Sequence, residues 1–166
     1  MTESVRIALS LGSNIDRYRH INAGLDALEA EFGEVLCSPV YETAAVGFDG
    51  SPFLNLVAVI HSPLSLSDVN VALKRIEDAN GRDRSGPKFS PRTLDIDVVT
   101  YGDALGVVEG VELPRPELFK NAFVTKPMAD LLAEVPVPGQ GCNYLQLWQQ
   151  YGNRDQALQQ VPFERR

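Results

Sequence analysis

Apolar residues follow two different spacings along the first hundred positions, and each switch between them marks a new element. Residues 5–11 form a short apolar run closed by Gly12-Ser13-Asn14, which reads as a strand entering a turn. Over 16–32 the positions Ile21, Leu25, Leu28 and Phe32 recur four, three and four residues apart, the stripe of an amphipathic helix that stops near Gly33. Residues 35–41 and 53–61 are rich in Val, Leu, Ile and aromatics and predict two strands, divided by the Gly- and Pro-containing stretch 44–52. Ser65 opens a second helix with Leu66, Val69, Leu73 and Ile76 on one face, Asp68 as its capping acid and Gly81 as its terminator. Residues 94–101 then predict a fourth strand.

That order, β-α-β-β-α-β, is the split arrangement of ferredoxin-like α+β folds, in which two helices cover one face of an antiparallel sheet. C-terminal additions follow: a strand over 107–113, a helix over 125–134 and another over 143–151 containing Trp148. The last residues carry no pattern. With neither a fixed-period repeat nor a Pro- or Ser-rich linker, the reading is one domain over 1–166, within the usual size range of a single core.

Composition narrows the class. The chain is 44% hydrophobic and 22% charged, an ordinary soluble composition, and its longest apolar stretches fall far short of the roughly 20 residues that span a bilayer. The first four residues lack the basic and apolar regions of an export signal, so a cytoplasmic protein with no membrane attachment is expected. Cys37 and Cys142 sit in no Cys/His cluster and read as isolated thiols. A net charge of −7 argues against nucleic-acid binding, so any site for an anion must be local.

One such place lies between Gly81 and Arg92, where Arg82, Arg84, Lys88 and Arg92 face the single acid Asp83. The segment is too rich in Gly and Pro for regular structure and reads as a cationic lid. Directly after it comes Ser90-Pro91-Arg92-Thr93-Leu94-Asp95-Ile96-Asp97. On a strand, residues two apart share a face, so Asp95 and Asp97 stand side by side while Leu94, Ile96 and Val98 point to a core. Two adjacent carboxylates stay ionised most readily around a cation, and carboxylates with phosphate oxygens suit magnesium, used in pairs for in-line phosphoryl displacement. Arginines beside such a site neutralise charge on a transferring phosphoryl group. The chain has no P-loop and no dinucleotide-binding glycine motif, so metals and arginines must hold the nucleotide. His20 and His61 have no ligand spacing and read as helix-surface and strand positions without a catalytic role. Fold and an aspartate pair alone leave another metal-dependent nucleotidyl or phosphoryl enzyme open.

The same segment closely resembles the signature of the 6-hydroxymethyl-7,8-dihydropterin pyrophosphokinase family, enzymes of folate biosynthesis. Supporting matches are Leu11-Gly12-Ser13-Asn14, Tyr41-Glu42-Thr43 with Gly47, Phe53-Leu54-Asn55, Glu77, Gly81-Arg82, and Phe123-Val124 with Pro127, so the likeness runs over about 5–132. The resemblance implies transfer of pyrophosphate from ATP to the pterin hydroxymethyl group with release of AMP, by a monomer acting on two small molecules. It implies that Asp95 and Asp97 ligate two magnesium ions, that Arg82 and Arg92 hold phosphates, and that Glu77, Arg84, Val98 and Arg115 lie on the ATP side. On the pterin side it implies a ring between Phe53 and Phe123, edge bonds from Asn55 and from the backbone near Thr43 and Val46, and Phe89 closing over it. The chain departs from the family pattern at Arg115, where histidine is usual, at Asn121, where arginine is usual, and at Glu117, often basic. Those departures leave a catalytically weakened pterin- or nucleotide-binding relative as the alternative.

Overall fold

The computed structural model describes residues 4–44, 51–81, 93–151 and 158–164. Strand β1 (Val5–Ser13) leads into helix α1 (Arg17–Phe32), followed by the short strands β2 (Leu36–Cys37) and β3 (Val40–Thr43) and the long strand β4 (Phe53–Ser62). Helix α2 (Leu66–Ala79) precedes β5 (Asp95–Tyr101). The remainder holds a hairpin of β6 (Gly106–Val108) and β7 (Val111–Leu113), helices α3 (Glu117–Lys120), α4 (Ala122–Leu132) and α5 (Tyr144–Tyr151), and a last strand β8 (Gln159–Val161).

The main sheet runs in the order β5-β1-β4-β3-β8, with β2 also on β4, and every pairing in it is antiparallel. Alternation along the strands builds two cores. Ile7, Leu9 and Leu11 of β1, Leu56 and Ile60 of β4, and Ile96 and Val98 of β5 are sealed against Leu25 and Leu28 of α1 and Val69 and Leu73 of α2. Ala8, Val57, Val59 and Val99 face the other way, under Leu118, Val124, Met128 and Leu147 of α3 to α5. An antiparallel sheet flanked by helices is therefore what the pattern predicted, but both faces are covered. The C-terminal helices are a second layer, because the strands are apolar on both sides and neither side can be left to water.

Several boundaries moved, each for a local reason. The expected strand 35–41 breaks at Ser38-Pro39, since proline has no N–H for a ladder. Ser38 repairs the gap: its N–H donates to Val57 O and its Oγ accepts from Val57 N–H, both at 2.9 Å. The expected strand 107–113 is a hairpin, because Glu109 and Gly110 both take positive φ, 48° and 82°, and reverse the chain in two residues. Helix α4 begins three residues earlier than the apolar pattern indicated, and β8, at the end without a pattern, pairs with β3. Ser65 caps α2 as expected, its side chain accepting from Asp68 N–H at 3.1 Å. Cys37 and Cys142 form no disulfide, and no helix is long and apolar enough to cross a membrane among the described residues.

Candidate active site

The sheet face beneath α3 to α5 carries the chemistry, and strand register decides what meets there. Gly12 pairs with Asn55 on one side and with Asp95 on the other, and Asn55 pairs with Tyr41. Cross-strand partners share a face, so Tyr41, Asn55, Gly12 and Asp95 form one row. Ser10 and Asp97 lie opposite each other in the next row, while Thr43 and Phe53 oppose each other two residues beyond Tyr41 and Asn55. Strands are about 4.8 Å apart, so the Asp95-Asp97 pair and Asn55 are separated by about 10 Å across the glycine.

Asp95 and Asp97 do stand together, with Ile96 and Val98 buried behind them. Burial first, and the neighbouring Asp95 carboxylate second, push Asp97 up from the ordinary carboxylate range to about 7; Arg115 opposes this, and Glu77 and Glu117 add to it. Such a pair suits a cation between its carboxylates. Among the described residues no group of three or more metal-ligating side chains is gathered. Two adjacent carboxylates suit magnesium, which keeps open positions for water and substrate phosphates.

A raised Asp97 has a sign that can be tested. Protonation of this group stabilises the folded protein; the contribution is fully present below the ordinary carboxylate pKa and is lost as pH rises through about 7. The metal-free protein is therefore expected to melt lower at pH 8 than at pH 6. Asp97→Asn should raise the melting temperature at pH 8 and by clearly less at pH 5, as thermal scans in chelator would register; an equal effect at both pH values would contradict a carboxyl group raised by burial.

Strand β5 is an edge of the sheet, and its outward groups are met by two charged side chains. Glu77, only 4% exposed, accepts the Ile96 N–H at 2.7 Å, between the two aspartates. Arg115 donates its backbone N–H to Val99 O at 2.9 Å and its Nε–H to Val98 O at 3.0 Å. Its guanidinium then lies 3.6 Å from Asp97 and 3.9 Å from Glu117. The register between β1 and β5 slips at Ala8/Leu9, leaving Val99 as the extra residue of a bulge, and Arg115 docks on it. The departure at residue 115 thus brings a fixed cation beside the carboxylates.

On the other side of Gly12, Asn55 is 8% exposed and donates Nδ2–H to Thr43 Oγ1 at 2.7 Å, which turns its Oδ1 toward Gly12. Phe53, half-buried, begins β4 on the same face, and Phe123, half-buried, stands in the first turn of α4, which packs on β4 and β3. Of the residues expected in the site, Thr43, Phe53, Asn55, Glu77, Asp95, Asp97, Val98, Arg115 and Phe123 fall in the described part. Val98 has its side chain in the core, so only its main chain faces outward. Val46, Arg82, Arg84, Phe89 and Arg92 lie outside the described residues.

The chain matches the model of the 7,8-dihydro-6-hydroxymethylpterin-pyrophosphokinase family over residues 8–133, a span that holds this whole constellation. The chain belongs to this family. It is 36% identical over 137 residues to the 2-amino-4-hydroxy-6-hydroxymethyldihydropteridine pyrophosphokinase of Pseudomonas aeruginosa, covering 80% of this chain and 84% of the relative. With the enzyme of the same name from Porphyromonas gingivalis it is 34% identical over 142 residues, covering 80% and 97%. The solved wild-type HPPK-DHPS of Plasmodium falciparum shares its fold, with a TM-score of 0.70 at 12% identity over 91% of this chain. The chain spans 45% of that longer protein.

Sequence reading missed several groups at this pyrophosphokinase-type site. Gly12 belonged to a recognised motif, but its function as a gap between Asp95 and Asn55 emerges only from the register. His20 is not on the helix surface: it is 7% exposed, with Nδ1 3.0 Å from Asn80 Oδ1 and Nε2 3.3 Å from Arg19, so it joins the start of α1 to the end of α2. His61 is an exposed position of β4, a strand residue as expected. An open cavity of about 620 Å³ lies beside His20, lined by Asp16, Arg19, Asn80, Gly81 and Thr93 among others, and its described lining includes none of the residues expected in the site.

Proposed function

We propose that this protein transfers pyrophosphate from ATP to the hydroxymethyl group of 6-hydroxymethyl-7,8-dihydropterin, releasing AMP, the reaction named for its family relatives. The observation that carries the reading is the row Asp95, Gly12, Asn55: a carboxylate pair for phosphates and a fixed amide for a flat ring, on one face, with a glycine between them.

On the pterin side, the tie to Thr43 leaves the Asn55 Oδ1 as an acceptor for ring N–H groups, and Phe53 and Phe123 supply faces on which a flat heterocycle stacks. Phe89 and the backbone at Val46 complete that side by the family likeness. The hydroxymethyl oxygen of a ring held there reaches toward Asp95 and Asp97. On the ATP side, Asp95 and Asp97 would hold two magnesium ions, which when bound supply positive charge to the phosphate oxygens and order them for displacement. Arg82, Arg84 and Arg92 neutralise further phosphate charge by the same likeness. Arg115, locked to Val98 O and Val99 O, keeps a cation at the Asp97 edge without needing to be recruited. Glu77 holds the Ile96 amide, fixing the strand between the two aspartates, and so serves the ATP side from behind the edge.

Attack by the hydroxymethyl oxygen on the β-phosphorus of ATP forms one P–O bond and breaks the α,β-bridging P–O bond, and AMP leaves with the bridging oxygen. Holding both substrates on one face supplies the orientation this displacement requires. We also infer a ferredoxin-like core. Its support is that β1, α1, β3, β4, α2 and β5 follow the βαββαβ order with the four strands arranged β5-β1-β4-β3.

The test incubates purified protein with ATP, magnesium and the pterin, and quantifies AMP and pterin pyrophosphate. Equal amounts of the two products, absent without magnesium, are expected. ADP and a monophosphorylated pterin would contradict attack at the β-phosphorus, and no product of either kind would defeat the proposal.

A further inference from the structure

Helix α4 carries Phe123, yet its own backbone fixes that residue poorly. Pro127 lies inside the helix and has no N–H to give to the carbonyl of Phe123, four residues before it. The turn bearing the aromatic ring keeps its bonds to Asn121 O but lacks this one, so contacts outside the helix help to place it. At its start, the buried Thr125 Oγ–H is hydrogen-bonded to Leu118 O at 2.5 Å. Beyond the proline, Asp130 accepts a hydrogen bond from the Tyr41 hydroxyl through Oδ2 and pairs with Lys126 through Oδ1.

The position of this second contact is what gives it meaning. Tyr41 is 4% exposed and is the cross-strand neighbour of Asn55. Asp130 is seven residues, two helical turns, from Phe123 and shares its face of α4. The bond from Tyr41 to Asp130 thus joins the two elements that would enclose the pterin: the strand row under its edge and the helix over its face. Burial, then the hydrogen bond to Asp130, raise the tyrosine hydroxyl far above its ordinary range, so it stays a donor at every physiological pH. Lys126 pairs with the same carboxylate, and a hydrogen bond to a charged acceptor is stronger than one between neutral groups.

We propose that Tyr41 and Asp130 are positioning residues for the pterin: their hydrogen bond sets the spacing between the Asn55 row and Phe123, and with it the affinity for the flat ring. Neither side chain touches a reacting atom. The inference rests on the reading that Phe123 faces the pterin, and the experiment separates the two.

Tyr41→Phe deletes one oxygen and keeps the ring. It should weaken binding of 6-hydroxymethyl-7,8-dihydropterin roughly fivefold, the worth of one hydrogen bond, while leaving the KM for ATP within about twofold. Asp130→Ala should act in the same direction, and the double variant should be no worse than Asp130→Ala, because both remove one interaction. Asp130→Asn keeps an acceptor and should restore most of the affinity. Phe123→Ala is the control. If it weakens pterin binding while Tyr41→Phe and Asp130→Ala do not, or if those two raise the constants for pterin and ATP equally, the positioning role is overturned. If Phe123→Ala leaves pterin binding intact, the assignment of Phe123 itself fails and this inference with it.

Discussion

Asp97→Ala is expected to reduce turnover on the order of 10³-fold, the upper range for loss of one preorganised electrostatic stabiliser, and to change pterin affinity little. No neighbour can take the place of the missing carboxylate. Glu77 is buried behind the strand with Oε2 committed to the Ile96 N–H, and Glu117 lies on the far side of Arg115. Asn55 on β4 and Thr43 on β3, the residues proposed to meet the ring, are two and three strands away and do not depend on Asp97. The result should therefore divide cleanly between kcat and pterin binding, as expected for an interaction made mainly while phosphate is in transfer. AMP release measured across a magnesium titration, beside a direct pterin titration, decides it. Turnover within about tenfold of wild type would remove Asp97 from the metal site.

The second large effect should come from a single methyl group. A Cβ on Gly12 would lie 2.9 Å from Asn55 Oδ1 and 3.7 Å from the Phe53 ring. The amide cannot simply swing aside, since Asn55 is buried and its Nδ2 is held by Thr43 Oγ1 at 2.7 Å. Gly12→Ala must therefore either break that bond or shift the strand, an overpacking cost of about 1–3 kcal/mol. Both routes spoil the acceptor offered to the ring. The KM for the pterin is expected to rise about tenfold, with the KM for ATP nearly constant. Steady-state kinetics varying each substrate in turn would check this. An unchanged pterin KM would mean that Asn55 does not meet the ring.

These two effects draw on different amounts of sequence. Asp95 and Asp97 were legible because the period of a strand is two, and any strand over that stretch places them together. The basic cluster before them and the signature through Asp97 were legible for the same reason: the chemistry lies within a few residues. Gly12 was visible as part of a turn motif, but its partner Asn55 is on another strand, and pairing register is not written in either segment alone. The hairpin at Glu109-Gly110 was missed because its flanks were read by apolar content, which is blind to two residues of positive φ. Strand β8 was missed because an edge pairing with β3 needs backbone groups more than an apolar pattern.

By itself the sequence determined the alternation of strands and helices up to β5 apart from the break between β2 and β3, the faces of residues 94–98, the carboxylate pair and the family. These follow from local periodicity and short motifs, which survive without any knowledge of distant contacts. The tertiary structure alone decided that α3 to α5 close the second face of the sheet, that Gly12 separates the aspartates from Asn55, and that Arg115 docks on the bulge beside Asp97. It also decided that Tyr41 meets Asp130, 89 residues away. Each of these joins segments far apart in the chain, and such contacts are selected by burial and hydrogen-bond satisfaction of the whole fold, not by any property of the residues on either side of them.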